Sequence, residues 1–103
     1  MQASNCSAAE PFALQVLGDS MLPEFKNGVV IVVDPEGVVR DGCYVVAYHN
    51  NEFTLRQYRF YDEKHYLVPL NDLYPTEEFA GPEAIKGVVV QQAGRRRKDR
   101  KFY

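Results

Sequence analysis

The sequence lacks a long hydrophobic run, an apolar leader and a cysteine framework. Its longest aliphatic run, V-V-I-V-V at residues 29–33, is too short to cross a bilayer, and its first ten residues have neither the basic start nor the apolar stretch of a signal peptide. We therefore expect a cytoplasmic protein with no membrane partner. The two cysteines, Cys6 and Cys43, fit reduced thiols better than a disulfide. Neither they nor His49 and His65 show metal-ligand spacing, so we expect no metal and no cofactor.

Charge is distributed unevenly along the chain. Residues 1–94 hold 13 acids and 6 bases, a net charge of −7, whereas residues 95–103 hold six bases and one acid, a net charge of +5. A basic tail on an acidic body either works separately or folds back on the body. Such a tail is either a solvated terminus or a binding segment for nucleic-acid phosphates. The candidate phosphate-binding residues are Arg95, Arg96, Arg97, Lys98, Arg100 and Lys101.

Short apolar segments separated by turn residues fill most of the chain. The segment from Val29 to Asp34 is nearly all apolar, which predicts a strand buried on both faces. No helical periodicity persists beyond one or two turns, and residues 71–82 look irregular. Six or seven short strands predict an all-β fold, either a folded sheet or a small, partly open barrel. The predicted strands lie at residues 12–17, 29–34, 43–48, 53–61, 65–70 and 84–91.

A chain of 103 residues holds one domain at most. The small polar residues at 1–11 predict a flexible N-terminal arm. The folded domain is expected at residues 12–93, and the basic tail at residues 94–103.

The stretch G-D-S-M-L-P, residues 18–23, raises the question of a serine nucleophile. A serine hydroxyl needs a base within hydrogen-bond reach and donors for the oxyanion. Gly18 lets the backbone turn tightly and brings N–H groups close to a bound carbonyl. The alternative is that Asp19 and Ser20 only satisfy a turn. The residues of this stretch alone leave both readings open.

Several motifs stand in a fixed order between Leu14 and Val90. They are V-L-G-D-S-M-L-P, N-G-V-V-I-V, D-G-C-Y-V-V-A, T-L-R, L-V-P-L-N-D-L-Y-P and I-K-G-V-V-V. Together they resemble the LexA/UmuD-type self-cleaving peptidase domain, which includes the C-terminal domains of many phage repressors and is related to signal peptidases. The resemblance implies that Ser20 is the nucleophile, that the backbone of Gly18, Asp19 and Met21 contacts substrate or oxyanion, and that a lysine about 36 residues later is the general base.

The sequence departs from that family at the base, because Arg56 stands in the place of the lysine. Burial can bring a lysine from a pKa near 10.4 to neutral pH, whereas the pKa of arginine starts much higher, so that arginine stays protonated in proteins. Arg56 can donate hydrogen bonds to Ser20, but it cannot readily accept its proton. We therefore expect a degenerate active site on a retained fold.

Three other residues have suitable chemistry for a base. They are His49 at the end of a predicted strand, Lys64 in a polar turn, and His65 at the start of a strand. Nothing in their spacing aims them at Ser20, so each is expected to have a structural or solvated role.

The resemblance also implies a regulatory function. Family members pair through the region of the last strand, so a homodimer is expected. They cleave an Ala-Gly or Cys-Gly bond in their own N-terminal arm, and the arm of this chain has neither. The helix-turn-helix half of repressors is also missing, so the chain either resembles the short UmuD or is the C-terminal part of a longer DNA-binding repressor.

We expect a LexA-like domain of a transcriptional or stress-response regulator, serving dimerisation or interaction, with its proteolysis weakened or lost. The alternative is an active serine autopeptidase or endopeptidase, with its base supplied from elsewhere and a protein or self-peptide as substrate.

Overall fold

The computed structural model describes residues 10–93 and 100–103. Most of the predicted arm lies outside the described residues, as do Arg95, Arg96, Arg97 and Lys98 of the predicted tail. Among the described residues, no helix is long and apolar enough to cross a membrane.

The described chain is nearly all β, as predicted, and folds into one sheet that does not close into a barrel. All strand pairs are antiparallel. The strands are β1 (Phe12–Gln15), β2 (Val30–Asp34), β3 (Tyr44–His49), β4 (Glu52–Tyr61), β5 (Lys64–Val68), β6 (Glu77–Phe79), β7 (Ile85–Ala93) and β8 (Lys101–Phe102), and a 3₁₀ turn spans Pro82–Ala84.

The strand order across the sheet is β1-β2-β7-β3-β4-β5-β6, and β8 pairs with the end of β7. Strands β1 and β6 therefore form its two edges. The hairpins follow the predicted turn residues: Asn50 and Asn51 join β3 to β4, and Asp62 and Glu63 join β4 to β5, all four with positive φ. Two-residue hairpin turns of this kind need positive φ, which asparagine and aspartate tolerate well.

Two hydrophobic clusters lie on opposite faces of the central strands. The first contains Met21, Phe25, Val46 and Val89, and the second contains Val45, Ala47, Val88 and Leu67, together with other buried residues. Neighbours in a strand point to opposite faces, so the successive pairs Val45–Val46 and Val88–Val89 divide between the clusters. Strands β3 and β7 are therefore buried on both faces.

The prediction of two-sided burial for residues 29–34 was wrong. In β2 the side chains of Ile31 and Val33 are buried, whereas Val30 is exposed. The reason is position, because β2 lies next to the edge strand β1, where only one face of the sheet is covered by the core. The other strand predictions were confirmed to within a few residues.

Two short strands were missed by the sequence patterns. Strand β6 lies within the segment that looked irregular and pairs with β5, and β8 lies within the basic tail and pairs with β7. Both have only two or three residues, which is too short for a periodic pattern to show.

Candidate active site

Ser20 lies in the connection between β1 and β2. The residue after it, Met21, is 1% exposed, and Phe25 is fully buried in the first core cluster. The amide of Phe25 donates to the carbonyl of Met21 at 2.9 Å, which forms a compact turn. These two core anchors fix the backbone next to Ser20, because moving it would expose two large apolar side chains.

A side-chain hydrogen bond joins the beginning and the end of the connection between β1 and β2. The amide of Gly18, at φ +97°, donates to Oδ1 of Asn27 at 2.7 Å. The amide of Gly28 donates to the carbonyl of Val16 at 2.7 Å. The Asn27-Gly28 pair, which the sequence marks as a turn, thus also sets the geometry of the G-D-S motif.

The segment after β5 forms hydrogen bonds with Asp19 and Ser20 of the G-D-S motif. The amide of Asn71 donates to the carbonyl of Ser20 at 3.0 Å, and its Nδ2 donates to the carbonyl of Asp19 at 3.0 Å. The hydroxyl of Tyr74 donates to Oδ1 of Asp19 at 2.5 Å, and this bond raises the pKa of Tyr74. The sequence patterns did not reveal these roles, although both residues belong to the N-D-L-Y-P motif.

Arg56 lies on β4 opposite Val45 of β3 and reaches Ser20 with its side chain. Its Nη1 donates to Oγ of Ser20 at 2.9 Å and to the carbonyl of Leu55 at 2.7 Å. Burial lowers the pKa of the guanidinium, and the negative charge of Glu77 opposes that shift. The two residues that the resemblance pairs, 36 positions apart, are therefore in direct contact.

The other candidate bases have different partners. Nε2 of His49 lies 3.2 Å from Oε1 of Glu77, and Nδ1 of His65 lies 2.7 Å from the hydroxyl of Tyr58, whose ring it stacks on. Lys64 begins β5 and is exposed. Within residues 10–93 and 100–103, no hydrogen bond joins Ser20 to any of these three side chains.

A groove of about 390 Å³ opens beside Ser20 and Arg56. One wall is formed by residues 14–17, which include part of β1, and the other by residues 52–56 of β4. Leu17 and Phe53 are 80% and 65% exposed, so much of the wall surface is apolar and open to a ligand. No group of metal-ligating side chains occurs among the described residues.

The predicted oxyanion residues surround Ser20, but their backbone groups differ in availability. The amide of Gly18 is already bonded to Asn27, and the carbonyl of Asp19 accepts from the side chain of Asn71. Within the part of the chain that the structure describes, the amides of Ser20 and Met21 have no hydrogen-bond acceptor. Their role toward an oxyanion stays a prediction.

The last residues of the chain fold back on the body. Nζ of Lys101 lies 3.1 Å from Oε2 of Glu24, and the hydroxyl of Tyr103 donates to the same oxygen at 2.6 Å. The ring of Tyr103 packs against Phe25, a core anchor of the Ser20 connection. Residues 101–103 are therefore part of the folded body, and Arg100 before them is exposed.

Comparison with known proteins gives consistent matches. A family model described as Peptidase S24-like matches residues 2–90. The HTH-type transcriptional regulator for conjugative element SXT of Vibrio cholerae is 43% identical over 87 residues, which is 78% of this chain and 40% of the relative. Repressor protein C2 of Salmonella phage P22 is 40% identical over 92 residues, which is 84% of this chain and 42% of the relative. The chain spans about two fifths of the length of these curated relatives.

Proposed function

Because the chain belongs to the peptidase S24-like family, we propose that it is the peptidase-fold domain of a repressor-type regulator and that it acts by binding rather than by hydrolysis. The names of its relatives, a transcriptional regulator and a repressor, support the regulatory part of this proposal. The contact between Ser20 and Arg56 supports the other part, that the domain binds without hydrolysing.

The bond from Arg56 Nη1 to Ser20 Oγ has the wrong polarity for nucleophile activation. Arg56 donates to the serine oxygen, whereas a general base must accept the serine proton. Burial lowers the pKa of the Arg56 guanidinium, but arginine stays protonated in proteins. A buried lysine in the same place could lose its proton near neutral pH, because burial lowers its pKa from an ordinary value near 10.4. The substitution therefore removes the group that could accept the serine proton.

The proposal includes self-association and a role in DNA binding. The relatives extend well beyond the matched region, and one of them is named for a helix-turn-helix. We propose that this domain forms a homodimer and pairs two DNA-binding units of the regulator, so that it contributes to repressor affinity without reading DNA itself. Sedimentation equilibrium of the domain tests the dimer, and a monomer at high micromolar concentration contradicts it.

Proteolysis is tested with three proteins and one peptide. Wild type, Ser20→Ala and Arg56→Lys are incubated from pH 7 to pH 10 with an extended peptide that contains an Ala-Gly bond, and cleavage is followed by mass. We expect wild type to match Ser20→Ala at every pH. We expect Arg56→Lys to cleave, at a rate that rises with pH as the amine loses its proton. Cleavage by wild type that disappears in Ser20→Ala contradicts the proposal.

A further inference from the structure

The guanidinium of Arg56 is a half-buried cation without a carboxylate partner in the described part of the chain. Its two bonds, both from Nη1, go to the neutral oxygens of Ser20 and Leu55. Arg59, three residues further along β4, is exposed and forms an ion pair with Asp41 at 2.9 Å. The negative charges of Glu77 and Glu52 act on Arg56 without forming an ion pair with it, and a charge removed from water without a counter-charge in contact is costly. Arg56 thus leaves donors of its planar fork available to an anion.

The groove beside Arg56 has the form of an acceptor for an extended chain. Strand β1 is an edge of the sheet, and β4 pairs with β5 only from Gln57 onward. The stretch of β4 from Glu52 to Arg56 therefore has a strand partner on one side only, namely β3. Unpaired strand edges bind peptides by adding a strand, with main-chain hydrogen bonds for affinity and side-chain contacts for specificity.

The charges of the groove give this peptide a direction. Glu52 and Arg56 are the charged side chains of the lining, and they lie four residues apart on one strand. At about 3.4 Å per residue, their backbone positions are roughly 14 Å apart, which is the length of about four extended residues. The cationic end attracts one anionic group, whereas the acidic end disfavours a second one along the peptide.

We infer that the groove binds the C-terminal segment of a peptide, with the free carboxylate against Arg56 and Ser20 and apolar side chains against Leu17 and Phe53. Arginine forms bidentate bonds with carboxylates, and the serine hydroxyl adds a third donor. When a peptide binds by its backbone, its terminal carboxylate lies along the groove axis, whereas its side chains point away from that axis. This geometry favours a terminal carboxylate over an acidic side chain as the partner of Arg56. This inference rests on the proposed function, because the peptide is retained and not hydrolysed.

The test compares two peptides that differ only at the C-terminus. Fluorescein-labelled Ala-Val-Leu-Ala is made as the free acid and as the amide, and binding is measured by fluorescence anisotropy. We expect wild type to bind the acid at least about tenfold more tightly, because only the free acid offers Arg56 a charged acceptor, and hydrogen bonds to charged groups are stronger than neutral ones. A third peptide carries one internal aspartate and an amidated end. Its binding as tightly as the free acid would overturn the choice of a terminal carboxylate.

The variants locate the carboxylate site. Arg56→Gln should lose the preference for the acid, Arg56→Lys should retain a smaller preference because it keeps the charge without the fork, and the matched control Arg59→Gln should behave as wild type. Circular dichroism checks that each variant is folded. Equal affinities of wild type for acid and amide, or a preference that survives in both Arg56 variants, refute the inference.

The proposed loss of hydrolysis and the proposed carboxylate site are distinguished by following cleavage of the Ala-Gly peptide by mass alongside the affinity measurements. Cleavage through Ser20 together with a preference for the acid refutes only the loss of hydrolysis. An uncleaved peptide together with equal affinities for acid and amide refutes only the carboxylate site.

Discussion

The hydroxyl of Tyr103 ties the end of the described chain to the connection that carries Ser20. It donates to Oε2 of Glu24 at 2.6 Å and accepts from Nε2 of Gln92 at 2.6 Å. Nε2 of Gln92 also donates to the backbone carbonyl of Glu24 at 3.0 Å. The substitution Tyr103→Phe removes the hydroxyl and keeps the ring that packs against Phe25. It therefore isolates the polar part of this contact.

The expected cost follows from the burial of the partners. A hydrogen bond to a charged group contributes about 1.5–3 kcal/mol when it is well buried. The side chain of Glu24 is 25% exposed, and it keeps Lys101 as a partner in the variant. Both features place the cost at the low end, so we expect Tyr103→Phe to lower the free energy of unfolding by about 1–2 kcal/mol at pH 7.

The cost should depend on pH in one direction. The bond from Tyr103 lowers the pKa of the Glu24 carboxyl in the folded protein, an effect that Lys101 reinforces and burial opposes. A carboxylate with a lowered pKa contributes stability that is complete above its ordinary pKa, near 4.3, and is lost as the pH falls through the folded value. The difference between wild type and Tyr103→Phe should therefore shrink between pH 7 and pH 3.

Urea unfolding measures the stability difference between wild type and Tyr103→Phe at pH 7 and pH 3. The unfolding is followed by far-ultraviolet circular dichroism, because the chain has no tryptophan for a fluorescence signal. The matched control is Tyr61→Phe, which removes the hydroxyl of an exposed tyrosine that stacks on Tyr66. We expect that control to change stability by less than about 0.5 kcal/mol. The assigned role of the Tyr103 hydroxyl is wrong if Tyr103→Phe lowers stability no more than Tyr61→Phe does, or if its cost is the same at pH 7 and pH 3.

Three further predictions concern the core, the cysteine and the site. Gly87→Ala places a Cβ in steric overlap with Cγ1 of the buried Val33. Urea unfolding should therefore show a loss of stability of about 1–3 kcal/mol, and this loss should fall by more than half in a Val33→Ala background. Equal losses in both backgrounds would count against this clash. Burial raises the pKa of the Cys43 thiol. In a Cys6→Ser variant, Cys43 should therefore react with DTNB at pH 7.5 at least about tenfold more slowly than glutathione does. A rate equal to that of glutathione would contradict the burial of this thiol. Asn71→Ala removes the side-chain donor to the carbonyl of Asp19. The variant should lose about 1 kcal/mol of stability and bind the free-acid peptide more weakly. Unchanged stability and peptide affinity would show that this side chain does not position the backbone of the site.

Much of the sheet could be predicted because its signals are local. Apolar alternation and turn residues such as Asn50 and Asn51 placed the hairpins, since β pairing and positive φ restrict residue types within a few positions. Strand β2 shows the limit of such signals. Its composition indicated two buried faces, but the number of buried faces depends on how far a strand lies from the sheet edge, which composition does not encode.

The candidate site residues were predicted from the sequence, and the contacts between them came from the tertiary structure. Ser20 and Arg56 were identified by motif and order, and the protonation chemistry of arginine follows from its side chain alone. The contact between Arg56 Nη1 and Ser20 Oγ depends on how the sheet brings β4 beside the connection after β1. The support from Asn71 and Tyr74 comes from a segment more than 50 residues away from Asp19.

The sequence predicted an all-β domain with a serine motif, and it placed an arginine where the resemblance implies a lysine base. The tertiary structure placed this arginine beside an open groove, without a carboxylate partner in the described part of the chain. It also decided that the last residues return to Glu24. The physical reason is that residue chemistry is a property of each side chain, whereas ion pairing, burial and open strand edges arise from long-range packing.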